Sequence, residues 1–122
     1  MNQIRLAHHQ HPRPPHHELR QKEVLDPGGR LVGQIDNLYA DDADNLQFVD
    51  VSTTGLFDFG KKHHLVPAEV VADEEPGYVT LTVDQEIIQS APPLKDPHTA
   101  PDEDLQRAAR EHCGLTADPT AP

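Results

Sequence analysis

Short stretches of alternating apolar and polar residues, separated by strong turn signals, fill the middle of this 122-residue sequence. The clearest alternation runs from Tyr78 to Val83, with Val79 and Leu81 on the same side as Val83. The D-P-G-G at residues 26–29 indicates a turn, because proline presets φ and glycine adopts positive φ easily. Five or six such stretches without a long helix between them predict a small antiparallel β-barrel.

The predicted strands are short, and two of them carry irregularities. We predict strands at Glu23–Leu25, Leu31–Tyr39, Leu46–Val51, Lys61–Pro67, Glu69–Ala72 and Tyr78–Val83. Alternation breaks at Asn37, which indicates a bulge or the end of the strand. Gly33 within a strand indicates a sharp bend. The strand from Leu46 is apolar on both faces, so we expect a tail, a helix or a second subunit to cover its outer face.

The rest of the chain divides around this barrel. Residues 1–18 are rich in His and Pro and predict a flexible arm, and residues 19–94 form the predicted barrel domain. Asp84 is a candidate cap for a short helix ending at Ser90, whose Ile87 and Ile88 would close one end of the barrel. Residues 95–122 predict a linker, a helix at about 99–113 with Thr99 as its cap, and a disordered tail.

Composition limits how large a core this chain can form. Hydrophobic residues make up 35% of it, and 12 residues are proline, so only part of the chain is expected to pack into a core. A core domain of about 70 residues buries only about 60% of its unfolded surface. Association into a homodimer would compensate for such a small core.

The charge is concentrated in the middle of the chain. The formal net charge is -11, and residues 18–91 hold 15 acidic and five basic side chains. An acidic surface repels nucleic-acid phosphates, so direct nucleic-acid binding is not expected. The same surface would attract a basic protein partner. A single cysteine and the lack of a long apolar run predict a cytoplasmic protein without membrane insertion.

Four segments together resemble the PRC-barrel domain. They are V-L-D-P-G-G-R-L-V-G-Q-I-D-N-L from residue 24, L-Q-F-V-D-V from residue 46, G-L-F-D-F-G-K-K-H-H-L-V-P from residue 55, and T-V-D-Q-E-I-I-Q-S-A-P-P-L from residue 82. The module is also found in the photosynthetic reaction-centre H subunit and in a ribosome-maturation factor. The resemblance implies a mainly β fold, a small bent barrel of five or six strands with short C-terminal helices. It also implies a protein-binding role without shared catalytic residues or cofactor, so we expect no enzymatic activity.

Four aromatic residues and one leucine are the candidate contacts for a partner or a second copy. Packing under the tails is the alternative for them, and the sequence does not separate the two. The candidates are Phe48, Leu56, Phe57, Phe59 and Tyr78.

A metal-binding or metal-sensing role is the alternative function. It would use the imidazoles of the arm, although a flexible arm has no core to hold them in a fixed geometry. These candidate ligands are His8, His9, His11, His16 and His17.

Other reactive residues are expected to be structural. One of His63 and His64 should pack against Phe57 or Phe59, while the other is solvated. The acidic residues at 41–44 lack the glycine and glutamate of a helix-loop-helix calcium site, so we expect a solvated turn. Cys113 lies near a helix C-terminus, where a thiolate is disfavoured, and is expected to be a packing residue.

Overall fold

A computed structural model describes residues 5–6, 19–43, 45–54 and 61–115, and these residues form one twisted sheet with helices against it. Its strands are β1 Arg5–Leu6, β2 Glu23–Leu25, β3 Leu31–Ala40, β4 Leu46–Thr54, β5 Lys61–Pro67, β6 Val71–Glu75 and β7 Tyr78–Leu81. A 3-10 helix, Ala68–Val70, joins β5 to β6, and the α-helices are α1 Gln85–Gln89 and α2 Glu103–His112. The predicted mainly β fold with short C-terminal helices is confirmed.

The sheet is mixed rather than purely antiparallel. Its strand order is β5-β4-β3-β2-β7-β6, with β1 paired to β3, and β2 and β7 run parallel. The prediction of an antiparallel barrel is therefore wrong for this one pair. The alternation of apolar and polar residues within a strand carries no information about the direction of its neighbour. Here β7 pairs antiparallel with β6 on one side and parallel with β2 on the other. Among the described strands no ladder joins β5 to β6, so the sheet is open.

The sheet departs from the predicted strands around Pro67. A strand was predicted at Glu69–Ala72, but a 3-10 turn occupies Ala68–Val70 and β6 continues to Glu75. Pairing with β7 extends β6, because Glu75 lies opposite Tyr78 across a tight turn. Gly77 in that turn has φ of +91°, a conformation that glycine adopts without steric cost.

A bulge in β3 brings two polar residues opposite one residue of β4. Ile35 pairs with Val51 and Asn37 pairs with Asp50, which leaves Asp36 as the additional residue on β3. The predicted irregularity at Asn37 is thus confirmed as a bulge, and the strand continues beyond it to Ala40. Such a bulge increases local twist and redirects side chains.

Each face of the sheet has a hydrophobic cluster. The larger cluster contains Leu19, Val24, Val32, Ile35, Leu38, Ala40, Val49, Val51, Val66, Val70, Val79, Leu81 and Ile88. The smaller cluster combines Tyr39, Phe48 and Leu65 of the central strands with Leu94 and Ala109 of the C-terminal segment. The cover predicted for the outer face of β4 is therefore the chain's own C-terminal helix.

Hydrogen bonds attach this C-terminal segment along the edge strand β5. The Leu94 backbone N–H donates to the His63 carbonyl oxygen at 2.8 Å, and Pro93 forms an isolated bridge with His64. Helix α2 begins after Asp102, whose Oδ1 accepts from the Leu105 N–H at 2.8 Å. Thr99 is not the cap, because its hydroxyl donates to the Asp96 carbonyl oxygen. The Arg110 guanidinium on α2 binds the Glu69 carboxylate at 2.6 Å.

Candidate functional site

The predicted aromatic contact residues lie in different environments. Phe48 is 2% exposed and packs in the smaller cluster, so for this residue the packing alternative is correct and a surface contact is wrong. Tyr78 is 39% exposed on β7. Leu56, Phe57 and Phe59 fall outside the described residues, so the prediction for them is unchanged.

Tyr78 lies between two glutamates on the neighbouring strands. Across the sheet, Glu23 of β2 and Glu75 of β6 are its partners in the two ladders, and both side chains are exposed. Side chains directly opposite each other on paired strands share a face and lie about 5 Å apart at Cβ. The surface therefore presents one aromatic side chain with a carboxylate on each side. We call Glu23, Tyr78 and Glu75 the tyrosine triplet.

The edge strand beside this triplet is acidic. β6 lies at the edge of the described sheet, next to β7 only. Four of its residues are exposed: Ala72, Asp73, Glu74 and Glu75. Lys22 pairs with Glu74 at 2.9 Å, but it is the one cation with an ion pair to β6 in the described ranges. Charged side chains on an edge strand discourage pairing between two copies of the same strand, since like charges would meet.

An exposed leucine extends the apolar part of the same face. Leu31 is 54% exposed and lies opposite Leu25 of β2, which in turn lies opposite Thr80 of β7. Thr80 and Tyr78 are two residues apart on one strand, so their side chains point to the same side. Leu31 and Tyr78 are thus exposed on one face of the sheet.

A second polar group of side chains forms at the β3 bulge. Asp36, Asp50 and His63 each offer one ligand-type atom, and these three atoms lie within 4.8 Å of one another. His63 Nδ1 is 2.9 Å from both carboxylate oxygens of Asp50 and 3.9 Å from Asp36 Oδ2. We call these three residues the bulge cluster.

Strand pairing explains how the cluster assembles. Asp50 lies opposite Asn37 of β3 and Leu65 of β5, and His63 is two residues before Leu65 on the same face. The bulge adds Asp36 beside Asn37, whose Nδ2 donates to Asp50 Oδ2 at 2.8 Å. One signal in the sequence points to this cluster, an aspartate that stands between the two buried valines Val49 and Val51.

Burial decides the electrostatics of Asp50. Its side chain is 0% exposed, and burial raises its pKa, with the nearby Asp36 carboxylate adding to the effect. Hydrogen bonds from Asn37 and His63 act in the opposite direction but do not outweigh burial. The protonated form of this carboxyl group is therefore favoured relative to an exposed aspartate.

His64 has a structural role beside this cluster. It is 4% exposed, its Nδ1 donates to the Ala91 carbonyl oxygen at 3.2 Å, and its Nε2 lies 3.5 Å from Thr53 Oγ1. Burial lowers its pKa, which favours the neutral imidazole. The expected packing of His63 or His64 on Phe57 or Phe59 lies outside the described residues.

The remaining predicted residues are also accounted for by local structure. Asp41 is 5% exposed, and its Oδ1 accepts from the backbone N–H groups of Ala43 and Asn45, so the turn is closed rather than solvated at this residue. Cys113 packs against the larger cluster and burial raises its pKa, as expected of a packing residue. The five histidines of the arm fall outside the described residues.

Comparison with known families decides the family. A sequence model described as the PRC-barrel domain matches residues 15–88, about three-fifths of the chain. This chain belongs to the PRC-barrel family. No curated protein matches it. In the described ranges of this PRC-barrel protein, no helix is both long enough and apolar enough to cross a membrane.

The family match places the C-terminal segment outside the recognised PRC barrel. It ends at residue 88, within α1, whereas Leu94 and Ala109 pack on the outer face of the sheet. The tyrosine triplet and the bulge cluster both lie inside the match. Both groups thus lie within the matched domain, whereas α2 follows it in the chain.

Proposed function

We propose that this PRC-barrel protein is a non-enzymatic interaction module that binds a basic segment of another protein on the tyrosine triplet. The observation that carries the proposal is the exposed Tyr78 ring with Glu23 and Glu75 opposite it on both neighbouring strands. The family match supports a small module of this kind. The proposed location of this interaction is the cytoplasm. The chain has a single cysteine and therefore no intrachain disulfide, which fits a reducing compartment.

The chemistry of the triplet favours an arginine or lysine side chain. A guanidinium stacks on an aromatic face, and carboxylates at its edges accept its N–H groups. Exposed Leu31 on the same face adds an apolar contact for a neighbouring side chain. The acidic β6 edge and the net charge of -11 attract the same class of partner and speed its association.

The acidic face also bears on self-association. Two copies meeting through β6 would bring Asp73, Glu74 and Glu75 against the same residues, which like-charge repulsion opposes. A homodimer, if formed, would use another surface, and Leu56, Phe57 and Phe59 remain the candidates for it. Light scattering at several protein concentrations measures the oligomeric state directly.

The test distinguishes binding through the tyrosine triplet from attraction by the net negative charge of the protein. A photoreactive residue in place of Leu31, which is exposed on the same face, would capture the partner in nuclease-treated lysate with the triplet intact. The purified partner would then be titrated by calorimetry. We expect Tyr78→Ala, and the pair Glu23→Lys with Glu75→Lys, to weaken binding about tenfold or more.

The matched control changes net charge by the same amount elsewhere. Glu103→Lys with Glu111→Lys reverses two exposed acids on α2, and this variant should retain most of the affinity. Equal losses in the two charge-reversal pairs would show that net charge alone attracts the partner. Unchanged affinity in Tyr78→Ala would refute the role of the triplet.

A further inference from the structure

The bulge cluster has the composition and spacing of a metal site, and we propose that Asp36, Asp50 and His63 bind one divalent transition-metal ion. This site is separate from the arm histidines and from the tyrosine triplet. Its three side chains come from three adjacent strands, β3, β4 and β5, so the sheet itself holds them in register. Ligands on strands are positioned more precisely than ligands on loops.

The donor atoms are close to the spacing that an ion requires. Zn²⁺ bonds to imidazole nitrogen and carboxylate oxygen at about 2.0–2.2 Å, so the ligand atoms of a tetrahedral site lie about 3.4 Å apart. His63 Nδ1 and the Asp50 oxygens are already 2.9 Å apart. Asp36 Oδ2, at 3.9 Å from Nδ1, needs only a small side-chain rotation to join them.

A comparison of two buried aspartates shows that, among the described residues, Asp26 has a guanidinium partner and Asp50 does not. Asp26, 1% exposed, accepts from the N–H groups of Gly28, Arg30 and Gln85 and pairs with the Arg30 guanidinium at 2.8 Å. Asp50, 0% exposed, accepts from the side chains of Asn37 and His63. Among its described hydrogen-bond partners there is no lysine or arginine.

A second carboxylate makes this difference larger. Asp36 adds negative charge close to Asp50, where burial strengthens the repulsion between the two groups. A divalent ion between them would replace this repulsion with two attractions. Metal binding is thus a way to compensate the buried Asp50 carboxylate that the fold places beside Asp36.

The cluster is also accessible and supported. The side chains of Asp36 and His63 are 19% and 21% exposed, so an ion and its water ligands can enter from solvent above the buried Asp50. Asn37 Nδ2 holds Asp50 Oδ2 in place, as residues around metal ligands commonly do. One imidazole with two carboxylates suits Zn²⁺, Mn²⁺ or Fe²⁺ better than Ca²⁺, which takes oxygen ligands only.

The experiment first removes the competing ligands of the arm. In the full chain, His8, His9, His11, His16 and His17 are all changed to Asn, and ZnCl₂ is titrated by calorimetry. We expect one ion per chain and a rise in melting temperature with added Zn²⁺. Co²⁺ gives an absorption spectrum that reports the ligands directly. If the arm-substituted chain binds no ion, the proposal is overturned.

Single substitutions then locate the site. We expect Asp50→Asn, Asp36→Asn and His63→Gln each to weaken Zn²⁺ affinity about tenfold or more. His98→Gln and Asp104→Asn replace exposed residues outside the cluster and should leave the affinity unchanged. Asp36→Asn keeps the proposal testable if changing the buried Asp50 prevents folding. Unchanged affinity in both Asp36→Asn and His63→Gln would refute it.

Discussion

Asp26 Oδ2 accepts a hydrogen bond from the Gln85 backbone N–H at 3.2 Å, so a turn between β2 and β3 caps a helix that begins 59 residues later. Asp84, the residue before α1, makes no such bond through its own side chain. Arg30 strengthens the connection, since its guanidinium pairs with Asp26 and with Glu86 of α1. The turn, the helix and the ion pairs form one unit.

This unit predicts a specific pH dependence of stability. Burial alone would raise the pKa of Asp26, but hydrogen bonds from Arg30 and Gln85 and the Arg30 charge outweigh it and lower the pKa below 3.8. A carboxylate with a lowered pKa stabilises the fold above its unfolded pKa, and this contribution is lost as pH falls through the folded value. We expect Asp26→Asn to be less stable than the wild type at about pH 6, with the difference shrinking below about pH 4. Urea unfolding over a pH series measures it, and a constant difference would contradict the assignment.

The close approach of β3 and β4 predicts that Gly33 cannot be enlarged. A Cβ at this position would overlap the Ser52 carbonyl oxygen, which belongs to the backbone and cannot move without breaking the ladder. We expect Gly33→Ala to lower the free energy of unfolding by about 2 kcal/mol or more. Gly28→Ala is the control, because its Cβ would lie 3.5 Å from Asp26 Oδ1, an ordinary contact. The control should change stability by no more than about 0.5 kcal/mol. Similar losses in both variants would argue against the clash.

The packing of α2 predicts different effects at two adjacent alanines. Ala109 is buried against Tyr39, Phe48 and Leu65, whereas Ala108 is exposed on the same helix. Ala109→Asp would place a charge in this cluster, and we expect a loss of about 3 kcal/mol or undocking of α2. Ala108→Asp makes the same change in helix propensity as Ala109→Asp, and it should lower the free energy of unfolding by less than about 1 kcal/mol. Circular dichroism and tyrosine fluorescence during urea unfolding distinguish these outcomes. Equal costs would mean that α2 does not pack as described.

Much of the fold could be predicted from local patterns. The positions of β2 to β5 and of β7 followed from alternation, and the irregularity at Asn37 appeared as the break in that alternation. At Gly33 the structure adds a reason that was not predicted, the close approach of the Ser52 carbonyl group, while the predicted bend stays a prediction. Of the candidate site, Tyr78 was predicted as a contact, but the glutamates opposite it were not, because cross-strand neighbours are far apart in sequence.

Local sequence was thus sufficient for strands β2 to β5, for β7 and for the acidic character of the surface, because backbone preference and side-chain alternation act over a few residues. Long-range pairing decided the parallel ladder of β2 and β7, the burial of Phe48 under α2 and the meeting of Asp36, Asp50 and His63. These features depend on which strands become neighbours and in which register. Strand order and register are determined by the burial of apolar side chains on both faces of the whole sheet, so no short segment of sequence specifies them.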